Sequence, residues 1–267
     1  MKRARLLAAV LAVAGCVGKV ALLGLALAGS GAAVAQQRAQ DEPAAVAAAR
    51  YNAQLAIAYL KTGDLVTARE KIERALQQNP RDASVHTTAG LVFERVGEER
   101  LADRHYARAV ALEPRNPDNQ NNYAVFQCRR GQFAKGQRLF EQAARNPVYR
   151  TPEVAFTNAG VCARSAKDPA KAEAFFRQAL AVRPTFPDAL LQMADLALER
   201  GNGLQGRAFM QRYFANAPAT PDSLWLAIRI ERALGDARAA EEYAVKLQGE
   251  FPTSEQARQL NGAMAGA

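Results

Sequence analysis

Five prolines set the frame of this chain. Pro80, Pro114, Pro184, Pro218 and Pro252 stand 34, 70, 34 and 34 residues apart, and 70 is two periods with a two-residue insertion. Ahead of each proline runs one pattern of small, aromatic and glycine positions. It is clearest in Leu55-Ala56, Tyr59, Gly63, Ala68, Ile72, Ala75 and Pro80, and it returns 34 residues on as Ala89-Gly90, Phe93, Gly97, Ala102, Tyr106, Ala109 and Pro114. A fixed period of this length marks stacked supersecondary units, each too small to bury its apolar face alone. The composition agrees: 49% hydrophobic and 23% charged residues exclude a disordered chain, and the abundance of Ala and Arg favours helices over strands.

The pattern resembles the tetratricopeptide repeat, in which two antiparallel helices approach closely at small residues, an aromatic fills the gap and a glycine turns the chain. Later blocks keep the register. The third has Tyr123-Ala124, Gly131, Gly136, Phe140 and Ala143, then Asn146-Pro147-Val148-Tyr149-Arg150-Thr151-Pro152 where a single proline is expected. A fourth has Ala159-Gly160, Ala172, Phe176, Ala179 and Pro184; a fifth has Met193-Ala194, Gly201, Gly206, Met210, Tyr213 and Pro218. The sixth has Ala227-Ile228, Gly235, Ala240, Ala244, Leu247 and Pro252, and in the fourth alone Lys167-Asp168 replaces the turn glycine. The expected fold is therefore all-α: a right-handed superhelix of about six repeats and twelve helices over residues 47–255, with an extended concave groove. Residues 256–267 read as a C-terminal tail, small and uncharged from Asn261 and expected to fray.

The first 35 residues read as an export or anchor region, and 36–46 as a linker. Met1 to Arg5 is basic and Leu6 to Ala14 apolar, the layout of an export signal. Two cleavage sites compete. Val13-Ala14-Gly15-Cys16 resembles a bacterial lipobox, in which Cys16 would be acylated; Ala33-Val34-Ala35, after a second apolar run from Val20 to Ala28, is an A-x-A site that would leave a soluble protein starting at Gln36. An uncleaved inner-membrane anchor is a third reading, weakened by Lys19 in the middle of the stretch. All three carry the chain out of the cytoplasm.

Lys and Arg number 35 against 26 Asp and Glu, a net charge of +9; without Lys2, Arg3, Arg5 and Lys19 the balance is 31 against 26, or +5. That modest excess comes with no nucleic-acid motif or aromatic-interleaved basic patch, so no nucleic acid is expected as a partner. Nor is an enzyme expected, or a cofactor, metal or small-molecule substrate. His86 and His105 lack a third ligand nearby, Ser84 and Ser223 read as helix N-caps, and no phosphate loop or paired-carboxylate constellation is present.

The groove of such an array is lined by the first helix of each repeat. One position, Gln54, Thr88, Asn122, Asn158 and Gln192, is neutral and polar in five successive repeats. Amides carry donor and acceptor together, so this ladder suits the backbone of an extended peptide; alternatively the position is merely half-exposed and tolerates polar residues. Asn121 and Asn122 with Asn158 bracket the irregular third-to-fourth junction. Trp225, the single tryptophan, reads as a core residue of the last repeat or as a partner anchor. Cys128 and Cys162 lie in the first helices of consecutive repeats, where a disulfide would staple the junction; two small core residues are the alternative.

Four stretches are more specific than the repeat: 121–131, 146–152, 158–162 and 223–232. They resemble the type IV pilus biogenesis and stability lipoproteins of the PilF/PilW family, the secretin pilotins. That resemblance spans residues 47–255 and implies six repeats, attachment to the periplasmic side of the outer membrane through a lipidated Cys16, and the pilus secretin as partner, whose outer-membrane localisation and multimerisation the protein would promote. A general periplasmic scaffold for envelope assembly, binding peptide segments of other proteins, is the alternative reading.

Overall fold

The computed structural model describes residues 43–265. Thirteen helices follow one another among the described residues: α1 (Ala44–Thr62), α2 (Leu65–Gln78), α3 (Ala83–Val96), α4 (Glu99–Leu112), α5 (Pro117–Arg129), α6 (Phe133–Ala144), α7 (Pro152–Ser165), α8 (Pro169–Val182), α9 (Pro187–Glu199), α10 (Gly203–Phe214), α11 (Pro221–Ala233), α12 (Ala237–Glu250) and α13 (Glu255–Ala265). Odd and even members up to α12 pair as the two helices of six repeats. The array is the superhelical solenoid expected from the period. Cys16 and both candidate cleavage sites lie outside the described residues.

Local chemistry starts and stops these helices where the repeat needs it. Asp64, Asp82, Asn116, Asp168, Asn202, Thr220 and Asp236 cap α2, α3, α5, α8, α10, α11 and α12, each accepting a backbone N–H of the first turn. Ser84 and Ser223, read from the sequence as N-caps, do not hold that position. Asp82 caps α3 and takes the Ser84 hydroxyl at 2.6 Å, while Thr220 caps α11 with Ser223 as its capping-box partner. Inside each hairpin the chain turns through the left-handed region at Gly63, Gly97, Gly131, Gly201 and Gly235; in the fourth repeat Lys167 takes the same conformation at φ 60°.

Small residues set the helix spacing. A Cβ on Gly90 would stand 2.7 Å from the Tyr106 ring, and one on Gly160 would stand 2.3 Å from Phe176. The aromatic of the second helix therefore packs directly onto the backbone of the first. Helices α1, α3, α5, α7, α9 and α11 also touch their neighbours of the same set, whereas the even helices contact odd ones and not each other. The odd helices thus line the concave side and the even helices fan out on the convex side. At the irregular junction the extra residues fold back: Tyr149 is buried against Ala143 and Ala155, and Asn146 Nδ2 donates to the Arg115 carbonyl at 2.6 Å.

Two expectations are corrected. The first helix begins at Ala44, inside the segment read as linker. At the other end, residues 256–267 are not a plain tail, because α13 runs to Ala265 and buries Ala257 and Leu260 fully in a cluster with Leu224, Ile228, Ala244 and Leu247. That helix covers the apolar face the sixth repeat would otherwise expose, as the end unit of a solenoid must.

Candidate binding groove

Three residues beyond the polar ladder, the concave face carries a second one. Ile57, Leu91, Val125 and Val161 occupy the same position in repeats one to four. The first three are half-buried and Val161 is 42% exposed. Ile57, Leu91 and Val125 line a cleft of about 300 Å³ together with Thr88, Asn122 and Arg129. Next along, Val125, Val161 and Asn158 line a smaller cleft of about 200 Å³. Beside the aliphatic stripe stand Lys61, Arg95 and Arg129, one helical turn further on. Arg129 pairs with Glu94 at 2.9 Å, while Lys61 and Arg95 have no acidic partner among the described residues. Glu94 is fixed from below by the Tyr106 hydroxyl at 3.1 Å, which burial and that carboxylate keep protonated far above the ordinary tyrosine range.

In the last two repeats the aliphatic position becomes Asp195 and Arg229, which pair at 3.6 Å. Arg164 reaches the same cluster, donating to Asp195 at 2.8 Å, to Glu199 at 2.5 Å and to Gln192 Oε1 at 2.7 Å. Half the groove therefore offers apolar clefts, and the other half is charged and satisfied internally.

This geometry sorts the polar ladder. Among the described residues the side chains of Gln54, Thr88 and Asn122 make no hydrogen bond; Thr88 and Asn122 line the first cleft, and Gln54 is exposed one repeat before them. Asn158 donates to Asn121 Oδ1 at 3.1 Å, and Asn121 is itself buried, so these two amides tie α5 to α7. Gln192 is held by Arg164. Trp225, read as a core residue or a partner anchor, packs on the last core cluster and also lines a cleft of about 290 Å³ with Gln192, Asp195 and Arg229. The aliphatic ladder is the feature sequence reasoning missed, although the 34-residue spacing of Ile57, Leu91 and Val125 carries it.

Cys128 and Cys162 form a disulfide between α5 and α7, with Cα atoms 5.6 Å apart, immediately beneath the second cleft. His86 and His105 face each other with Nδ1 atoms 2.9 Å apart, His86 Nε2 donating to the Pro80 carbonyl at 3.0 Å. No group of three or more His, Cys, Asp or Glu among the described residues is placed to hold a metal ion.

Helix pairs stacked at this period, with a side-chain-lined concave surface, define a tetratricopeptide-repeat solenoid, and residues 163–229 match the tetratricopeptide-repeat family model. Within that class the chain is related to the PilF and PilW type IV pilus biogenesis factors. It is 27% identical over 201 residues to the type IV pilus assembly protein PilF of Pseudomonas aeruginosa, covering 75% of this chain and 80% of that one. An uncharacterised protein of Haemophilus influenzae is 31% identical over 120 residues, 45% of this chain and 67% of its own. The crystal structure of PilW, described as a widely conserved type IV pilus biogenesis factor, superposes with a TM-score of 0.69 at 28% identity over 79% of this chain and 97% of that one. The structure of Pseudomonas aeruginosa PilF gives 0.66 at 25% identity, over 83% and 100%.

Proposed function

We propose that this protein is a pilotin: a non-catalytic periplasmic binding protein that receives subunits of the type IV pilus secretin and promotes their localisation and multimerisation in the outer membrane. The observation that carries the reading is that similarity to PilF and PilW runs through the whole repeat array and nearly the full length of both solved chains, rather than through one repeat. An unassembled secretin subunit exposes strand edges and apolar surface, which are aggregation hazards until the ring closes. The groove of repeats one to four suits such a client: aliphatic clefts take its apolar side chains, Gln54, Thr88 and Asn122 meet its backbone, and Lys61 and Arg95 favour acidic flanks. Acylation at Cys16 would hold the groove at the target membrane and raise the local concentration of client.

Site-specific photo-crosslinking tests the groove. A photoreactive residue at Leu91 or Val125 is expected to capture the secretin subunit in pilus-forming cells, while one at Ala174, exposed on α8 on the convex side, is not. Capture at Ala174 and none at Leu91 would assign the client to the other face.

A further inference from the structure

The convex side of the solenoid carries a charge pattern the groove does not require. On α4, Arg100, Arg104 and Arg108 recur every fourth residue, so they stand in one exposed stripe along the helix. None of the three forms an ion pair among the described residues. Like charges at that spacing repel and are not placed there by folding. The repeat period puts Arg74 of α2 at the position equivalent to Arg108, and Arg138 of α6 at that of Arg104. Glu70 is the one acid at the equivalent positions on these three helices, and it is already shared between Lys71 at 3.3 Å and Arg74 at 3.5 Å. The same stripe on α12 shows the ordinary solution, with Arg238 paired to Glu242 at 3.1 Å and Lys246 to Glu250 at 3.9 Å. Helix α4 is the exception.

The chemistry of the patch selects its occupant. A protein interface needs an apolar or aromatic centre with charges at its rim. Here the exposed uncharged positions around the arginines are Ala111, Ala134 and Gln142, the exposed Glu99 beside Arg100 is paired with Arg130 at 3.3 Å, and the exposed large apolar side chains nearby are Val66 and, at the start of α2, Leu65. Guanidinium forks without an apolar centre suit phosphate oxygens, which they meet with two parallel hydrogen bonds. The chain ahead of α1 is rich in apolar residues, Leu6 to Ala14 and Val20 to Ala28, and enters the solenoid at the first repeat, next to the repeat that carries the stripe.

We propose that the convex face of repeats one to three, centred on Arg100, Arg104 and Arg108, lies on an anionic phospholipid surface, with the guanidinium groups on lipid phosphates and the groove turned away from the membrane. This rests on the membrane-anchored reading above and adds the orientation of the solenoid. The lipid tether sets the distance; the arginines set which side faces down.

The test uses the full chain with vesicles of phosphatidylcholine alone or of phosphatidylcholine with phosphatidylglycerol, footprinted with phenylglyoxal and read by mass spectrometry. Arg100, Arg104 and Arg108 are expected to be protected only in the phosphatidylglycerol vesicles, and to lose that protection at high salt. Arg238, 91% exposed, should react equally in both. Equal modification of the stripe in the two vesicles overturns the proposal, and so does protection that appears in intact cell envelopes but not in phosphatidylglycerol vesicles, which would point to an acidic protein instead. Each Arg→Gln change at 100, 104 or 108 should weaken the phosphatidylglycerol-dependent binding by about fivefold, with thermal stability unchanged. Flotation with pure phosphatidylcholine tests the anchor separately. A chain that fails to float there lacks the anchor, and the stripe is then read directly from flotation on phosphatidylglycerol vesicles, which the triple variant must lose.

Discussion

A Cβ added to Gly136 would stand 2.2 Å from the Sγ of Cys128, and 3.0 Å from the Ala124 carbonyl oxygen. The glycine of α6 is thus the floor on which the disulfide of the neighbouring helix rests. Gly136→Ala has no free volume to enter and is expected to destabilise the protein by about 1–3 kcal/mol. Gly249→Ala is the control: that helical glycine has nothing within 4 Å, and the change should add about 0.5–1 kcal/mol. Urea denaturation of both variants measures the two signs side by side.

Lys167 sits at the turn where five other repeats place glycine, in the left-handed region at φ 60°. A side chain there costs about 1–2 kcal/mol, of which glycine's extra freedom in the unfolded chain returns part. Lys167→Gly should therefore raise stability by about 0.5–1 kcal/mol, seen as a higher urea midpoint. An unchanged or lower midpoint would show that the lysine side chain has a compensating role.

Cys128 and Cys162 are 34 residues apart in sequence and link adjacent concave helices. Closing a loop of that length restricts the unfolded chain by about 3–4 kcal/mol in the loop-entropy account. Reduction, or the Cys128→Ser and Cys162→Ser pair, should lower the unfolding midpoint accordingly. Hydrogen exchange should rise first in α5 to α8, because a solenoid's stability is built from nearest-neighbour interfaces.

His105 titrates at about 4, pushed down by burial first, then by His86 and Arg104. In the unfolded chain it returns to its ordinary value near 6.5. Between those values the unfolded state holds a proton the folded state refuses, so the stability present above pH 6.5 is lost as pH falls towards 4. Asp64, Asp82 and Glu173 have carboxyl groups held below their ordinary values, and their contributions are lost in acid too. His105→Phe isolates the imidazole. Its Tm should fall less than that of the wild type between pH 6.5 and about pH 4.5, and parallel curves would contradict the assignment.

The repeat was legible because each structural job in it demands one residue type at one spacing: Gly90 and Gly160 leave room for Tyr106 and Phe176, and Gly63 and Gly97 turn the chain. The same register placed Cys128 and Cys162 in consecutive first helices, where a disulfide and two small core residues were both open readings; the pairing itself, with Cα atoms 5.6 Å apart, came from the structure. Helix α13 was hidden because the residues it is seen to bury, Ala257 and Leu260, stand in a polar stretch, too sparse for a period to show. The polar ladder was visible as types but not as occupancies. Spacing could not reveal that Asn158 spends itself on Asn121, or that Arg164 reaches Gln192 across 28 residues. The stripe on α4 needed the absence of ion pairs, which only the placed side chains supply.

The role proposed for this protein is assembly of the pilus secretin at the outer membrane. Its most direct test is an immunoblot of that secretin after gentle denaturation, comparing cells with the wild-type gene, a deletion, and a deletion complemented by Cys16→Ala. The account predicts heat-resistant multimers in the wild type, their loss or shift to the inner membrane in the deletion, and no rescue by Cys16→Ala. Multimers that persist unchanged in the outer membrane of the deletion strain would contradict it.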